Sequence, residues 1–328
     1  MSAQGSFLSN GSEGNNGEVV IQTHGLTRDF KKLRAVDGLD LTIRKGELFG
    51  LIGPDGAGKT TTLRLLAGLL KITEGTATVV GHDLAHKPEA IKPQIGYMAQ
   101  RFSLYAELSV AENLSFFAEL YDVPSAERAS RTERLLSFAG LTPFKTRRAE
   151  HLSGGMKKKL ALACTLIHAP PVLLLDEPTT GVDPVSRREF WDILTELYTA
   201  GTTVVVSTPY MDEADRCSRV GLLHQGRLVR CDPPQIIRTQ MEGELIELQT
   251  EDWRAARTLA DDLPGIRQVQ TYGESLHLLV DDAEARLPEI AAQLNREGID
   301  VRSLRRTRPR MEEAFIWLVR DQAQQRLR

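Results

Sequence analysis

The chain has 328 residues, of which 41% are hydrophobic, 26% charged and 6% aromatic, and 41 Lys plus Arg against 44 Asp plus Glu give a net charge of -3. With a mean hydropathy of -0.25, this is the composition of an ordinary soluble protein long enough for two domains, and it excludes collagenous, low-complexity and polytopic membrane chains. The near balance of charge excludes the broad basic field of a non-specific nucleic-acid binder, and no apolar run reaches membrane-spanning length, so any membrane role is expected to be peripheral.

Residues 1–18, rich in Gly, Ser and Asn, lack the basic and apolar segments of a secretory signal and are expected to be a disordered tail. From 19 to 240, short apolar, β-branched runs at 48–52, 76–80, 172–175, 203–207 and 220–223 alternate with helical patterns. This predicts an α/β domain with a largely parallel sheet, whose ligand site lies beyond the carboxyl ends of the strands. Directly after the first run come Gly53, Pro54, Asp55, Gly56, Ala57, Gly58, Lys59 and Thr60, followed by a helical pattern over 61–70. That is the G-x-x-x-x-G-K-T pattern in the strand, loop and helix context it requires. The glycines let backbone N–H groups converge on a polyphosphate, Lys59 reaches the β and γ phosphates, and the Thr60 hydroxyl is offered to magnesium. Removing the Lys59 charge is expected to lower ATP affinity and to leave the nucleotide-free melting temperature nearly unchanged.

Between 108 and 152 the apolar spacing turns helical, with Val110, Leu114, Phe117 and Tyr121 on one face, which predicts a helical insert over about 101–165. Near its end Leu152, Ser153, Gly154, Gly155 and Met156 open a helix, either as an anion site or as an ordinary turn and cap. The run 172–175 ends in Asp176 and Glu177. These are either a solvated acid pair or, beside a phosphate loop, one carboxylate that holds magnesium through its water shell and one that polarises the attacking water.

After 240 the rhythm becomes strand 244–250, helix 252–263, strands 266–271 and 275–280, helix 283–297, strand 300–304 and helix 311–320. This βαββαβ order predicts a ferredoxin-like second domain over 241–328. Arg302, Arg305, Arg306, Arg308 and Arg310 gather around its last strand, as a solvated face or as a contact for anionic headgroups or a membrane partner. Cys164, Cys217 and Cys231 are odd in number and lack C-x-x-C spacing, which argues against a disulfide framework or zinc site and for a reducing compartment.

The phosphate loop, LSGGM at 152–156, the acid pair at 176–177 and Thr180-Gly181-Val182-Asp183 occur in one order over residues 19–240, and together they resemble the nucleotide-binding subunit of ABC transporters. The resemblance implies a P-loop NTPase domain with a helical subdomain, ATP and Mg2+ as cofactors, and ATP hydrolysis coupled to transport. It implies nucleotide contacts from residues 53–61, Thr61 included, and from Asp183. It implies that Gln100 meets magnesium and senses a membrane partner, and that Phe30 stacks on adenine, a reading favoured over that of a plain core aromatic. Two subunits would close head to tail, Ser153, Gly154 and Gly155 of one capping the ATP of the other, so that closure depends on the γ phosphate.

The departures are Asp55 in place of the family's asparagine and Pro209 in place of its γ-phosphate-contacting histidine. Proline has no side-chain donor or acceptor; by itself Pro209 reads as the start of the next helix. With DEPTTGVDP and the C-terminal appendage, the pattern is most similar to ATPases of ABC-2 type drug and antibiotic exporters, particularly the first half of tandem-ATPase efflux subunits, one such half being present here. This implies a motor subunit, peripheral on the cytoplasmic side of the cell membrane, that drives a separate permease for drug-like or lipophilic substrates. It would pair with a second, identical or different ATPase subunit and with no nucleic acid. Phe102, Leu104 and Tyr105 are expected to meet the permease. The alternatives are a degenerate regulatory subunit made slow by Pro209, or an ABC protein unconnected with transport; against the latter stand the lack of a heptad array between Gly58 and Ser153 and a pI of about 6.2.

Overall fold

The computed structural model describes residues 17–101 and 104–325; of the expected tail, residues 1–16 lie outside the described residues. The chain divides into two compact units, the first ending at Pro234 and the second beginning at Gln235.

In the first unit, β1 (Val19–Phe30) and β2 (Leu33–Arg44) form a hairpin whose two-residue turn, with Lys31 at φ 52, sets Phe30 opposite Leu33. Then come β3 (Leu48–Ile52), α1 (Lys59–Leu66), β4 (Glu74–Val79), β5 (His82–Asp83) and β6 (Ile95–Met98). Three helices follow, α2 (Val110–Leu120), α3 (Ser125–Phe138) and α4 (Gly154–Leu166), and then β7 (Val172–Asp176), α5 (Pro184–Thr199), β8 (Thr203–Thr208), β9 (Arg219–His224) and β10 (Arg227–Asp232). The central sheet runs β10-β9-β3-β8-β7-β6, parallel throughout except for β10. A smaller antiparallel sheet runs β2-β1-β4-β5.

The segment 76–80, expected in the parallel sheet, pairs instead with β1 in the antiparallel one. Burial explains the difference. Every residue of β3, β7 and β8 is buried, as in strands covered on both faces, whereas β4 is exposed for most of its length. Helix α1 stops at Leu66, short of the expected residue 70, because Gly68 turns the chain at φ 68. The start of α2 is fixed by a reciprocal capping box, the Ser109 hydroxyl accepting from the Glu112 N–H at 3.2 Å while the Glu112 carboxylate accepts from the Ser109 N–H at 2.7 Å.

The second unit holds α6 (Pro234–Thr239) from Gln235 onward, β11 (Glu244–Gln249), α7 (Trp253–Asp261), β12 (Ile266–Tyr272), β13 (Ser275–Val280), α8 (Ala283–Arg296), β14 (Ser303–Thr307) and α9 (Met311–Gln325). Its antiparallel sheet runs β12-β13-β11-β14, the ferredoxin-like order. Ile246, Leu248, Leu276, Leu278 and Val280 pack on α7 and α8 through Ala256, Ala260, Ile290 and Leu294. On the other face the buried His277 bonds to Glu313 of α9.

The last strand was expected at 300–304 but lies at Ser303–Thr307. Ile299 is drawn into the core, and the Arg302 N–H bonds the Gln249 carbonyl at 2.9 Å. Arg305 and Arg306 are accommodated within the strand because Glu247 and Glu244 of β11 neutralise them at 2.7 and 2.5 Å. With Arg302 paired to Glu251 and Glu274, much of the arginine run is engaged in ion pairs. Among the described residues no helix is long and apolar enough to cross a membrane, and the three cysteines are free.

Candidate functional site

The site grows from the carboxyl end of β3. Residues 53–58 bridge β3 to α1, and Gly58, the N-cap of α1, has φ 102. A Cβ there would stand 2.5 Å from the Ala35 carbonyl oxygen, so both the backbone angle and the crowding require glycine. The loop curls over Lys59, whose ammonium donates to the Gly53 and Pro54 carbonyls at 2.9 and 3.0 Å. It also pairs with the Glu177 carboxylate at 3.3 Å, the two side chains being only 3% and 8% exposed. Pro54, Asp55 and Gly56 stand exposed at the loop crest, with Ala57 buried beneath them.

Parallel pairing of β7 with β8 sets Asp176 beside Ser207. The buried Asp176 Oδ1 accepts from the Thr60 hydroxyl at 2.9 Å and from the Ser207 hydroxyl at 2.8 Å. Its Oδ2 is buried and has no hydrogen-bond partner. A carboxylate oxygen in that condition, beside a threonine hydroxyl and with no sulfur or imidazole donor, fits a small hard cation such as magnesium. Glu177 has left-handed backbone at φ 46. Its N–H donates to the Ser207 carbonyl at 3.1 Å and the Ser207 hydroxyl at 3.0 Å, and its carboxylate accepts from Gln100 Nε2 at 2.8 Å and from the Thr180 hydroxyl at 3.3 Å. Burial first, and then the Asp176 charge, push the Tyr97 phenol above its ordinary pKa. Burial also lowers the pKa of Lys158, opposed by the charges of Asp176 and Glu177; its ammonium donates to the Gln100 carbonyl at 2.9 Å.

A cleft of about 360 Å³ opens over this cluster, lined by residues 33–35 and 56–61, with Glu177 and Gln225. Thr61 is therefore in it. Phe30 is not among the lining residues. It stands 39% exposed at the end of β1 with Arg28 over its ring at 4.6 Å, and Leu33, its partner across the hairpin turn, lines the cleft instead.

Ser153, Gly154 and Gly155 lie elsewhere. Ser153 caps α4, accepting from the Met156 N–H at 3.3 Å. A Cβ on Gly155 would come within 2.5 Å of the Ser186 hydroxyl, so its smallness lets α4 approach α5. Gly154, Gln100, Leu104 and Lys158 line a second cleft of about 460 Å³. Gln100 thus lines the second cleft and is joined to the first through its hydrogen bond to Glu177. Asp183 caps α5 through the N–H groups of Val185 and Ser186 at 3.1 and 2.9 Å, and the Ser186 bond foremost holds its pKa below the usual carboxylate range.

Two expectations need correction. Pro209 does not open a helix: it lies in a bend after β8, and the 3-10 turn Met211–Arg216 starts behind Tyr210, whose N–H is taken by the Thr208 hydroxyl at 3.1 Å. Lys59, whose removal was expected to leave the melting temperature nearly unchanged, is a buried ion-pair partner of Glu177. Phe102 lies outside the described residues. Sequence reasoning missed Ser207 and Thr180 as neighbours of the acid pair; the available signal was a second apolar run, 203–206, ending in a hydroxyl as 172–175 ends in a carboxylate.

Residues 36–180 match the family described as ABC transporter, and residues 233–319 match that described as ATP-binding protein DrrA1-3-like, C-terminal domain. A probable multidrug ABC transporter ATP-binding protein, YbhF of Escherichia coli (strain K12), is 43% identical over 307 residues, 92% of this chain but 52% of its own length; the chain thus spans about half of that relative. The daunorubicin resistance ATP-binding protein DrrA2 of Streptomyces coeruleorubidus is 35% identical over 304 residues, 91% of this chain and 94% of its own. Among solved structures, cbiO1 from Clostridium perfringens, part of the ABC transporter complex cbiONQ, superposes with a TM-score of 0.63 at 25% identity, over 76% of this chain and 97% of its own. The dimeric ATP-binding cassette MJ0796, in a post-hydrolysis state with ADP and Pi, gives 0.60 at 28% identity, over 65% of this chain and 98% of its own.

Proposed function

The chain belongs to the ABC transporter ATP-binding family and carries a DrrA-like C-terminal domain, and from that premise we propose that it is the ATP-hydrolysing motor subunit of a drug-exporting ABC system. The observation that carries this reading is one bonded cluster at the carboxyl end of a parallel sheet: Lys59, Thr60 and Glu177 line a single cleft, Lys59 pairs with Glu177, Asp176 bonds to Thr60, and Gln100 bonds to Glu177. In it the loop N–H groups and Lys59 bind the β and γ phosphates of ATP, and Thr60, Asp176 and Gln100 hold Mg2+, which would neutralise phosphate charge. Glu177 orients and deprotonates the attacking water.

The exported compound is drug-like or lipophilic and crosses through a separate membrane permease; the multidrug and daunorubicin resistance relatives support this. Leu104 and Tyr105, next to the second cleft, meet that permease on the cytoplasmic face of the membrane, and Gln100 relays the contact to Glu177. A second ATPase subunit supplies Ser153, Gly154, Gly155 and Asp183 to this nucleotide, a reading supported by the position of those residues away from the chain's own phosphate loop and by the dimeric cassette among the structural neighbours.

The test is ATP turnover and binding by the purified chain and its Glu177→Gln variant. Loss of a general base slows turnover by about 10²–10⁴-fold while MgATP still binds. Equal turnover by the two proteins would reject Glu177 as the base, and failure of the parent chain to bind ATP would reject the function.

A further inference from the structure

Ser207 stands outside the phosphate loop and outside the acid pair, yet its one hydroxyl serves both carboxylate residues. It donates to Asp176 Oδ1 at 2.8 Å and accepts the Glu177 N–H at 3.0 Å. The residue is fully buried on β8, where parallel pairing fixes it opposite Asp176, so the contact comes from strand register and not from a mobile loop. A hydroxyl that donates one way and accepts the other is a two-ended strut. On the Asp176 side, the Ser207 and Thr60 hydroxyls both take Oδ1, which leaves Oδ2 as the buried oxygen without a partner. On the Glu177 side, the hydroxyl joins the Ser207 carbonyl in holding the N–H of a residue whose backbone sits at φ 46.

We propose that Ser207 is a positioning residue that turns Asp176 so that Oδ2 is presented to a divalent cation, and at the same time anchors the backbone that aims Glu177. The inference rests on the ATPase reading above and adds to it a residue from the neighbouring strand. Alanine keeps the strand and loses both hydrogen bonds. Valine and threonine have nearly the same shape, and threonine alone keeps the hydroxyl. The contrast between those two variants isolates the hydroxyl from any packing change, even where each loses some stability.

The experiment measures Mn2+ affinity of the nucleotide-bound protein by electron paramagnetic resonance, with ATP affinity in EDTA and steady-state turnover alongside. Removing a group that orients a metal ligand costs about 10–100-fold in metal affinity or activity. Ser207→Ala and Ser207→Val should therefore weaken Mn2+ binding about tenfold and lower kcat, with metal-free ATP affinity unchanged. Ser207→Thr should restore both. Equal Mn2+ affinity in the threonine and valine variants would overturn the positioning role while leaving the ATPase reading intact. A parent chain that binds neither ATP nor Mn2+ would overturn the ATPase reading, and the role of Ser207 with it.

Discussion

Lys59→Ala tests whether the phosphate-loop lysine is also part of the fold. Its ammonium lies 3.3 Å from the Glu177 carboxylate, with both side chains nearly inaccessible. At an effective dielectric near 20 the direct attraction is about 5 kcal/mol. Most of it offsets the desolvation of the two charges, and the relevant quantity is the cost of leaving one of them unpaired, about 3–5 kcal/mol for a buried pair. Gln100 and Thr180 still donate to Glu177 in the variant, which puts the expectation near the lower end, about 3 kcal/mol. For a unit of this size that lowers Tm by roughly 6–12 °C, in contrast with the small change expected from sequence alone. The assay is thermal unfolding of the nucleotide-free protein for the parent, Lys59→Ala, Glu177→Gln and the double variant. The double variant removes both charges of the pair, leaving neither one unpaired, and should melt above Lys59→Ala. A Lys59→Ala protein that melts with the parent, or a double variant that melts below it, would refute the reasoning.

Pro209→His introduces a γ-phosphate donor and should raise turnover by roughly 10²-fold; unchanged turnover measured with saturating MgATP would show that the proline is tolerated. His168 is stacked on Tyr121 at 4.0 Å, and burial, outweighing its bond to the Ile95 carbonyl, lowers its pKa. The folded protein therefore holds fewer protons than the unfolded chain below the ordinary histidine value of about 6.5. This contribution to stability is fully present above that value and is lost as pH falls toward the lowered one. In His168→Gln the fall in urea midpoint between about pH 7.5 and about pH 5 should be smaller than in the parent, and an equal fall would count against the shift. A photocrosslinker at Tyr105, 47% exposed beside the Phe116 ring, should capture an integral membrane protein in membranes from the source cell; capture of soluble proteins alone would reject the permease contact.

The sequence made the P-loop fold legible because the phosphate loop, β7 and the helical insert each carry a local signature, a fixed glycine spacing, an all-apolar strand or a helical period. The βαββαβ order of the second unit was legible for the same reason. What escaped were facts about pairing. The segment 76–80 is β-branched whichever sheet it joins, and only its exposure separates the two. The shift of β14 depends on Glu247 lying across from Arg305 and on Glu244 reaching Arg306 diagonally, both far away in sequence. Ser207 meets Asp176 through strand register, and Lys59 meets Glu177 through the curl of a loop, neither of which any local pattern encodes. Phe30 was assigned to adenine by its position along the chain; that Leu33, paired with it across the hairpin turn, lines the cleft follows from strand pairing and is encoded by no local pattern.

Glu177 follows Asp176 directly, and in a continuous strand two successive side chains leave on opposite faces. Here both reach the phosphate-loop segment, Asp176 at Thr60 and Glu177 at Lys59, because the left-handed backbone at φ 46 breaks the alternation at the last step of β7. Holding a non-glycine residue in that region costs about 1–2 kcal/mol. Glycine would relieve the strain and delete the acid. The chain thus carries a standing penalty at the one residue where neighbours in sequence must become neighbours on the same wall, and selection for stability alone would remove the group that makes the wall reactive.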